Sequence, residues 1–255
     1  MEDNKVIFWS VIKGLEEVVP LQPAIKYIPE WWKNTPPFVA TIEGEKVKTK
    51  EEKRRKHEGT IKLCPVVHEW FLQGYVLPMW CDLYIEINED KSWSSTHSFP
   101  NRLMKTDMTD DSAYITWLPK QYKENAVAML RINCPWRMKT PAGYSTYQFP
   151  MYYHFNLDFE VPPGSIWTDE YHLVNPQIII KHYGVTKIDY GTPLCVYVPY
   201  KREPDDTFQY EIKRRDEECE ILEQKTDLMV LSKFEGGYKE MQKEKGGCPM
   251  HKEHE

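Results

Sequence analysis

The sequence predicts a mainly β protein, a sandwich or barrel with a few short helices. Three observations carry this. Segments alternating apolar and polar residues recur along the chain. In Trp80 to Asn88, Cys81, Leu83, Ile85 and Ile87 fall on one face, and Asp82, Glu86 and Asn88 on the other. Turn residues separate these segments at fairly regular intervals, without the strand and helix alternation of parallel folds. Prolines number 19 and glycines only 12, the reverse of their usual order, which suits a chain of irregular turns and edges. At 255 residues, one main β domain with additions fits better than several small ones.

A short strand is expected at 5–10 (KVIFWS). Five prolines punctuate the next segment, where Ile28-Pro29-Glu30-Trp31-Trp32-Lys33 fits one helical turn opened by a proline whose missing N–H is no loss there. The two Trp should clamp this arm to the body. Residues 43–59 have almost no apolar side chains to offset the entropy of ordering and should form a mobile loop. Its Lys53-Arg54-Arg55-Lys56 centre suits an anion or simple solvation. Cys64 to Gly74 spaces apolar residues three and four apart before a glycine, the pattern of a short helix with a left-handed cap. Further strands are expected at 113–118, 126–134, 143–149, 151–161, 177–183 and 194–200. Charged residues then dominate. Residues 211–231 can hold one helix, with Ile221, Leu222, Leu228 and Leu231 as its packing stripe, followed by a polar tail. The organisation is therefore an N-terminal arm at 1–58, a main β domain at 59–204, and a C-terminal helix and tail at 205–255.

The formal charge of −6, with its basic residues dispersed or matched by acids, argues against a duplex nucleic-acid partner. No run of about 18 apolar residues exists, and no charged leader precedes an apolar core, so neither membrane insertion nor secretion by a signal peptide is expected. Six scattered cysteines, several in apolar strand contexts such as Leu194-Cys195-Val196, suit free thiols in a reducing compartment.

Candidate chemistry centres on Tyr152 to Val161. As one strand, this segment would put His154, Asn156, Asp158 and Glu160 on one face and Phe155, Leu157, Phe159 and Val161 on the other. Imidazole and carboxylate at that spacing suit a metal or a positioned water, while an exposed sheet face or subunit contact needs no more than the same pattern. No His is followed two residues later by an acid except His251, which argues against the metal-dependent jelly-roll oxygenases. The tail, Cys248 to His254, offers three ligands where a closed zinc site wants four. Gly-x-Ser-x-Gly, Walker-type and Gly-x-Gly-x-x-Gly segments are absent.

The most informative stretch is 140–202. Thr140-Pro141-Ala142-Gly143-Tyr144 leads to Pro163-Gly164-Ser165-Ile166-Trp167-Thr168-Asp169-Glu170-Tyr171, and then to Ile188-Asp189-Tyr190-Gly191-Thr192-Pro193. This order resembles the β-clip fold of the dUTP pyrophosphatase and dCTP deaminase superfamily, over about a quarter of the chain. The resemblance implies a β-clip or jelly-roll-like fold, threefold association into a homo-oligomer, and a nucleotide site. Asp169 and Tyr171 match an Asp and a Tyr of the family's hairpin motif. Its first Asp, which holds the attacking water, is matched by Trp167. No arginine stands where the family's phosphate motif is expected, near 148–156. Lys233 to Tyr238, with Gly236, Gly237 and Tyr238, echoes the family's C-terminal arm over bound nucleotide. On this basis Asp169, Asp158 and His154 are the candidate catalytic residues, with magnesium as cofactor if nucleotides are processed. Tyr171, Trp167, Tyr144, Gly236, Gly237 and Tyr238 are the candidate ligand contacts, and no resident metal site is assigned. The chain also resembles an uncharacterised protein family of marine tailed phages and some bacteria, through Ile28 to Lys33, Leu77 to Cys81, Cys134-Pro135-Trp136 and Gly191 to Leu194. That resemblance implies a place in the host cytoplasm or the virion.

Three readings follow. The first is a non-catalytic β-clip module that binds a virion or host protein through its many rings. The second is a divergent nucleotide-processing enzyme in which Asp169, Asp158 or His154 has taken over the water. The third is a sugar- or metal-binding jelly-roll enzyme with Trp80, Trp93 or Trp136 as stacking platforms, although core packing explains those rings more simply.

Overall fold

The computed structural model describes residues 5–37, 59–98, 108–202 and 212–232. They fall into two units: 5–29 with 73–98 and 108–202, and 30–37 with 59–72 and 212–232. In chain order the strands of the first unit are β1 (Ile7–Ser10), β2 (Gln22–Pro23), β3 (Tyr75–Pro78), β4 (Leu83–Ile87), β5 (Trp93–His97), β6 (Thr109–Asp110), β7 (Ala128–Arg131), β8 (Trp136–Lys139), β9 (Tyr144–Pro150), β10 (Phe159–Glu160), β11 (Gly164–Ile166), β12 (Gln177–Ile180), β13 (Gly184–Ile188) and β14 (Pro193–Lys201). They form four antiparallel sheets, ordered β1-β8, β10-β12-β7-β6, β11-β9-β14-β3-β2 and β13-β4-β5. The protein is mainly β, and among the described residues no sheet closes on itself.

Periodicity explains the clearest elements. Leu83, Ile85 and Ile87 of β4 are buried and Tyr84 and Glu86 exposed, as a half-buried strand requires. β12 is apolar on both faces, because Ile178 and Ile180 enter the main core while Ile179 joins a smaller cluster with Ile115, Ala126 and Met129. One core is shared by strands from all four sheets, and Trp80 and Trp136 lie at its centre with only 1% of their surface exposed. Those two rings are therefore core, not stacking platforms.

Two expected strands are absent for local reasons. Residues 113–117 lie in a 3₁₀ helix, Ser112–Trp117, which Leu118 caps in an extended conformation. Ile115 of the helix and the capping Leu118 face the same small cluster three residues apart, the period of that helix. The 151–161 segment is a 3₁₀ turn at Tyr152–His154, then Phe155 with a φ of 50°, and only the two residues of β10. The Asn156 side chain accepts the N–H groups of Asp158 (2.9 Å) and Phe159 (3.2 Å), taking donors that a continuous ladder would need. His154, Asn156, Asp158 and Glu160 consequently do not share a strand face.

The helices are short except the last. α1 spans Leu15–Val18, α2 Glu30–Asn34, α3 Pro65–Trp70, α4 Lys120–Lys123 and α5 Glu217–Ser232. In the second unit Trp32 of α2 packs on Phe71 with centroids 5.1 Å apart, and Lys62 lies over the Trp32 ring while donating to its carbonyl (2.7 Å). Asp216 caps α5 by accepting the Cys219 N–H at 3.0 Å, and Glu217, Glu218 and Glu220 occupy the first turn, where the helix dipole favours acids. Ile221 and Leu222 of the expected packing stripe are exposed. Among the described residues no helix is long and apolar enough to cross a membrane. The 43–58 stretch and the Cys248 to His254 tail lie outside the described residues.

A half-buried ionic knot ties three elements together. Asp111, at the start of the 3₁₀ helix, accepts two bonds from Arg131 of β7 (2.9 and 2.7 Å) and one from Gln177 of β12 (2.8 Å). The Arg131 bonds hold its carboxyl below the usual aspartate range against the opposing effect of burial. A lowered folded-state value stabilises the fold above the unfolded value near 3.9, and that contribution is lost as pH falls through the folded value. Arg131 is 40% exposed, so solvent screens the pair and the contribution is about 1 kcal/mol. Urea unfolding should show the wild type losing about that much more stability than Asp111→Asn between about pH 5 and pH 2. Parallel curves would contradict this role.

Candidate functional site

The site is built where the turn before β9 meets the end of β14. Gly143 occupies the left-handed region with a φ of 79°, within a turn closed by the Tyr144 N–H on the Pro141 carbonyl (3.1 Å). Its carbonyl accepts the Arg202 N–H at 2.7 Å, and its own N–H donates to Asp169 at 3.0 Å. A second turn starts at Trp167, whose carbonyl accepts from Glu170 and Tyr171 and brings Trp167 and Asp169 to one place. Thr168 anchors that turn beneath. Its buried hydroxyl lies 2.8 Å from the hydroxyls of both Thr140 and Thr146.

Arg202 joins the two turns. Its guanidinium pairs with the Asp169 carboxylate and lies 4.4 Å from the centre of the Trp167 ring. The Asp169 side chain is only 8% exposed, whereas Trp167 is 59% exposed. The carboxylate is thus engaged by a cation and an amide, and the indole rests on that cation with its other face open. Asp169 Oδ1 and Arg202 Nη1 are buried without a hydrogen-bond partner in the protein.

Of the residues singled out from sequence, Trp167 and Asp169 come together here beside the backbone of Tyr144. Tyr171 closes the turn through its N–H on the Trp167 carbonyl, and its side chain is exposed. Asp158 and His154 belong elsewhere. Asp158 bonds the ring of His182 at 3.1 Å, and His154 lines a cleft of about 460 Å³ with Tyr152, Phe155, Leu157, Glu160 and Lys181. Burial holds the His154 imidazole below its ordinary value, with the Tyr27 backbone acting in the opposite sense. Among the described residues, no hydrogen bond joins any two of Asp169, Asp158 and His154, and no three His, Cys, Asp or Glu side chains are grouped to hold a metal ion. Gly236, Gly237 and Tyr238 lie outside the described residues.

Sequence reasoning missed Arg202. It stands 33 residues from its partner Asp169, and only the pairing of β14 with β9, where Lys201 faces Tyr144, brings them together.

No family model matches the chain, and no curated protein is significantly similar to it.

Proposed function

We propose that the chain is a non-catalytic binding module of the β-clip kind, associated with a virion, that meets its partner through exposed rings. The observation carrying this reading is the state of Asp169. A carboxylate that activates water needs a lone pair that water can reach. Here Oδ2 is held by Arg202 and the Gly143 amide, and Oδ1, though without a hydrogen-bond partner, is buried, while in the sequence resemblance Trp167 takes the position of the water-holding acid. The arrangement has the character of a rigid contact surface, with aromatic side chains of the kind that dominate interface energies.

The test is direct. Purified chain incubated with magnesium and each common deoxynucleoside triphosphate should release no pyrophosphate above the protein-free rate, and mass spectrometry of purified particles should find the chain among their proteins. Turnover that disappears in Asp169→Asn would replace this reading with that of a divergent nucleotide-processing enzyme.

A further inference from the structure

The outer face of the five-stranded sheet continues from Trp167 into a row of rings. Tyr147 of β9 and Tyr200 of β14 stack at 3.9 Å with their planes 13° apart. The Tyr200 hydroxyl lies 2.8 Å from the Ser165 hydroxyl of β11, the strand that leads into Trp167. Arg202 follows Tyr200 by two residues and so projects to the same side of the chain. Its guanidinium is the support beneath the indole.

We propose that this face, centred on Trp167, Tyr147 and Tyr200, binds a neutral oligosaccharide. The proposal rests on the binding-module reading and names its ligand class. Three properties select that class. The first is charge. Arg202, the cation at the platform, is already neutralised by Asp169, and the chain carries a net −6, so nothing here calls for a phosphate, a sulfate or a nucleic-acid backbone. The second is polarity. A guanidinium under one face of Trp167 draws the ring's electron density toward itself and makes the open face a poor seat for a second cation, but leaves it a flat surface for the C–H face of a sugar ring. The third is the fringe. The hydroxyls of Tyr200 and Ser165 sit beside the rings and both donate and accept, matching the hydroxyl perimeter of a pyranose. The platform is also pre-organised: Gly143 holds Asp169, Asp169 holds Arg202, and Arg202 supports Trp167, so little side-chain freedom remains to be lost on binding.

The experiment is calorimetric titration of the full chain with a panel of neutral oligosaccharides of glucose, galactose, mannose and N-acetylglucosamine. At least one should bind, with Trp167→Ala and Tyr147→Ala each weakening it about tenfold and Trp167→Phe much less. Trp117→Ala, which removes a 92% exposed indole from a different element, should leave binding unchanged. Circular dichroism checks each variant, and Tyr147→Ala reads the same surface should Trp167→Ala fail to fold. Absence of binding to every neutral sugar at millimolar concentration would overturn the proposal, as would binding indifferent to both alanine variants. Loss, in those variants, of binding to an acidic glycan or a virion protein would overturn it too, in favour of that ligand. None of these results touches the pyrophosphate assay, so failure here and failure of the binding-module reading remain distinct.

Discussion

Arg202→Ala should destabilise the β unit by about 3–5 kcal/mol, the effect expected when one partner of a buried ion pair is removed and the other is left charged. The Asp169 and Arg202 side chains are 8% and 23% exposed, so solvent screens them far less than a surface pair. Truncation leaves Asp169 with the Gly143 amide as its remaining hydrogen-bond partner, and its Oδ1 is already unpartnered. The charge, not the lost contact, dominates that penalty. A double variant, Asp169→Asn with Arg202→Met, should therefore recover most of it, because asparagine still accepts from Gly143 and methionine keeps an apolar stem under Trp167. Arg202→Lys should rescue poorly, since an ammonium cannot lie flat beneath an indole while pairing with the acid. Urea unfolding of the four proteins at pH 7 decides the matter. A cost below about 1 kcal/mol for Arg202→Ala would class the pair with solvated surface bridges and remove the support assigned to the Trp167 platform.

What the sequence revealed of this arrangement follows a physical division. Strands with a local apolar signal were legible: β4 buries Leu83, Ile85 and Ile87 by strict alternation, and β9 and β14 stand at the expected 143–149 and 194–200, although β14 buries Leu194 to Tyr197 without alternating. Segments whose backbone donors are claimed by a side chain were not. The Asn156 turn at Asp158 and Phe159 ends a strand that the alternation of Phe155, Leu157 and Phe159 would otherwise extend. The 3₁₀ helix at Ser112–Trp117 escaped notice because inward residues three apart over so short a stretch are hard to tell from those of a strand. At the site, Trp167 and Asp169 were visible as a pair of positions in one short motif. Arg202 was not, because its role depends on strand register, which sets partners across dozens of residues without leaving a local pattern. The large indoles show the same limit: composition alone does not distinguish Trp80 and Trp136, which fill the core, from Trp167, which stands on its surface.

Register itself can be tested at Gly74, where replacement by alanine should cost about 2–5 kcal/mol. Two terms add. Gly74 has a φ of 72°, a conformation that penalises any Cβ by about 1–2 kcal/mol. An added Cβ would also stand 2.2 Å from the Tyr197 carbonyl oxygen and 2.9 Å from its carbon. Those are backbone atoms of the central strand β14, which cannot rotate aside as a side chain can, so about 1–3 kcal/mol of overpacking is added. Gly184 supplies the control. Its φ is 91°, but nothing lies within 4 Å of its Cβ position, so Gly184→Ala should show the conformational term alone. The difference between the two variants in urea unfolding isolates the close approach of Gly74 to β14. Equal costs would mean that no such approach exists. A larger cost at Gly74 would show that this contact fixes the strand that carries Tyr200 and leads into Arg202. A one-residue slip of β14 would turn Tyr200 toward the core and withdraw the guanidinium from Trp167, because side chains alternate faces along a strand. Spatial order at the ring platform thus depends on a glycine at the β3 side of β14, away from the β9 side that carries Tyr147.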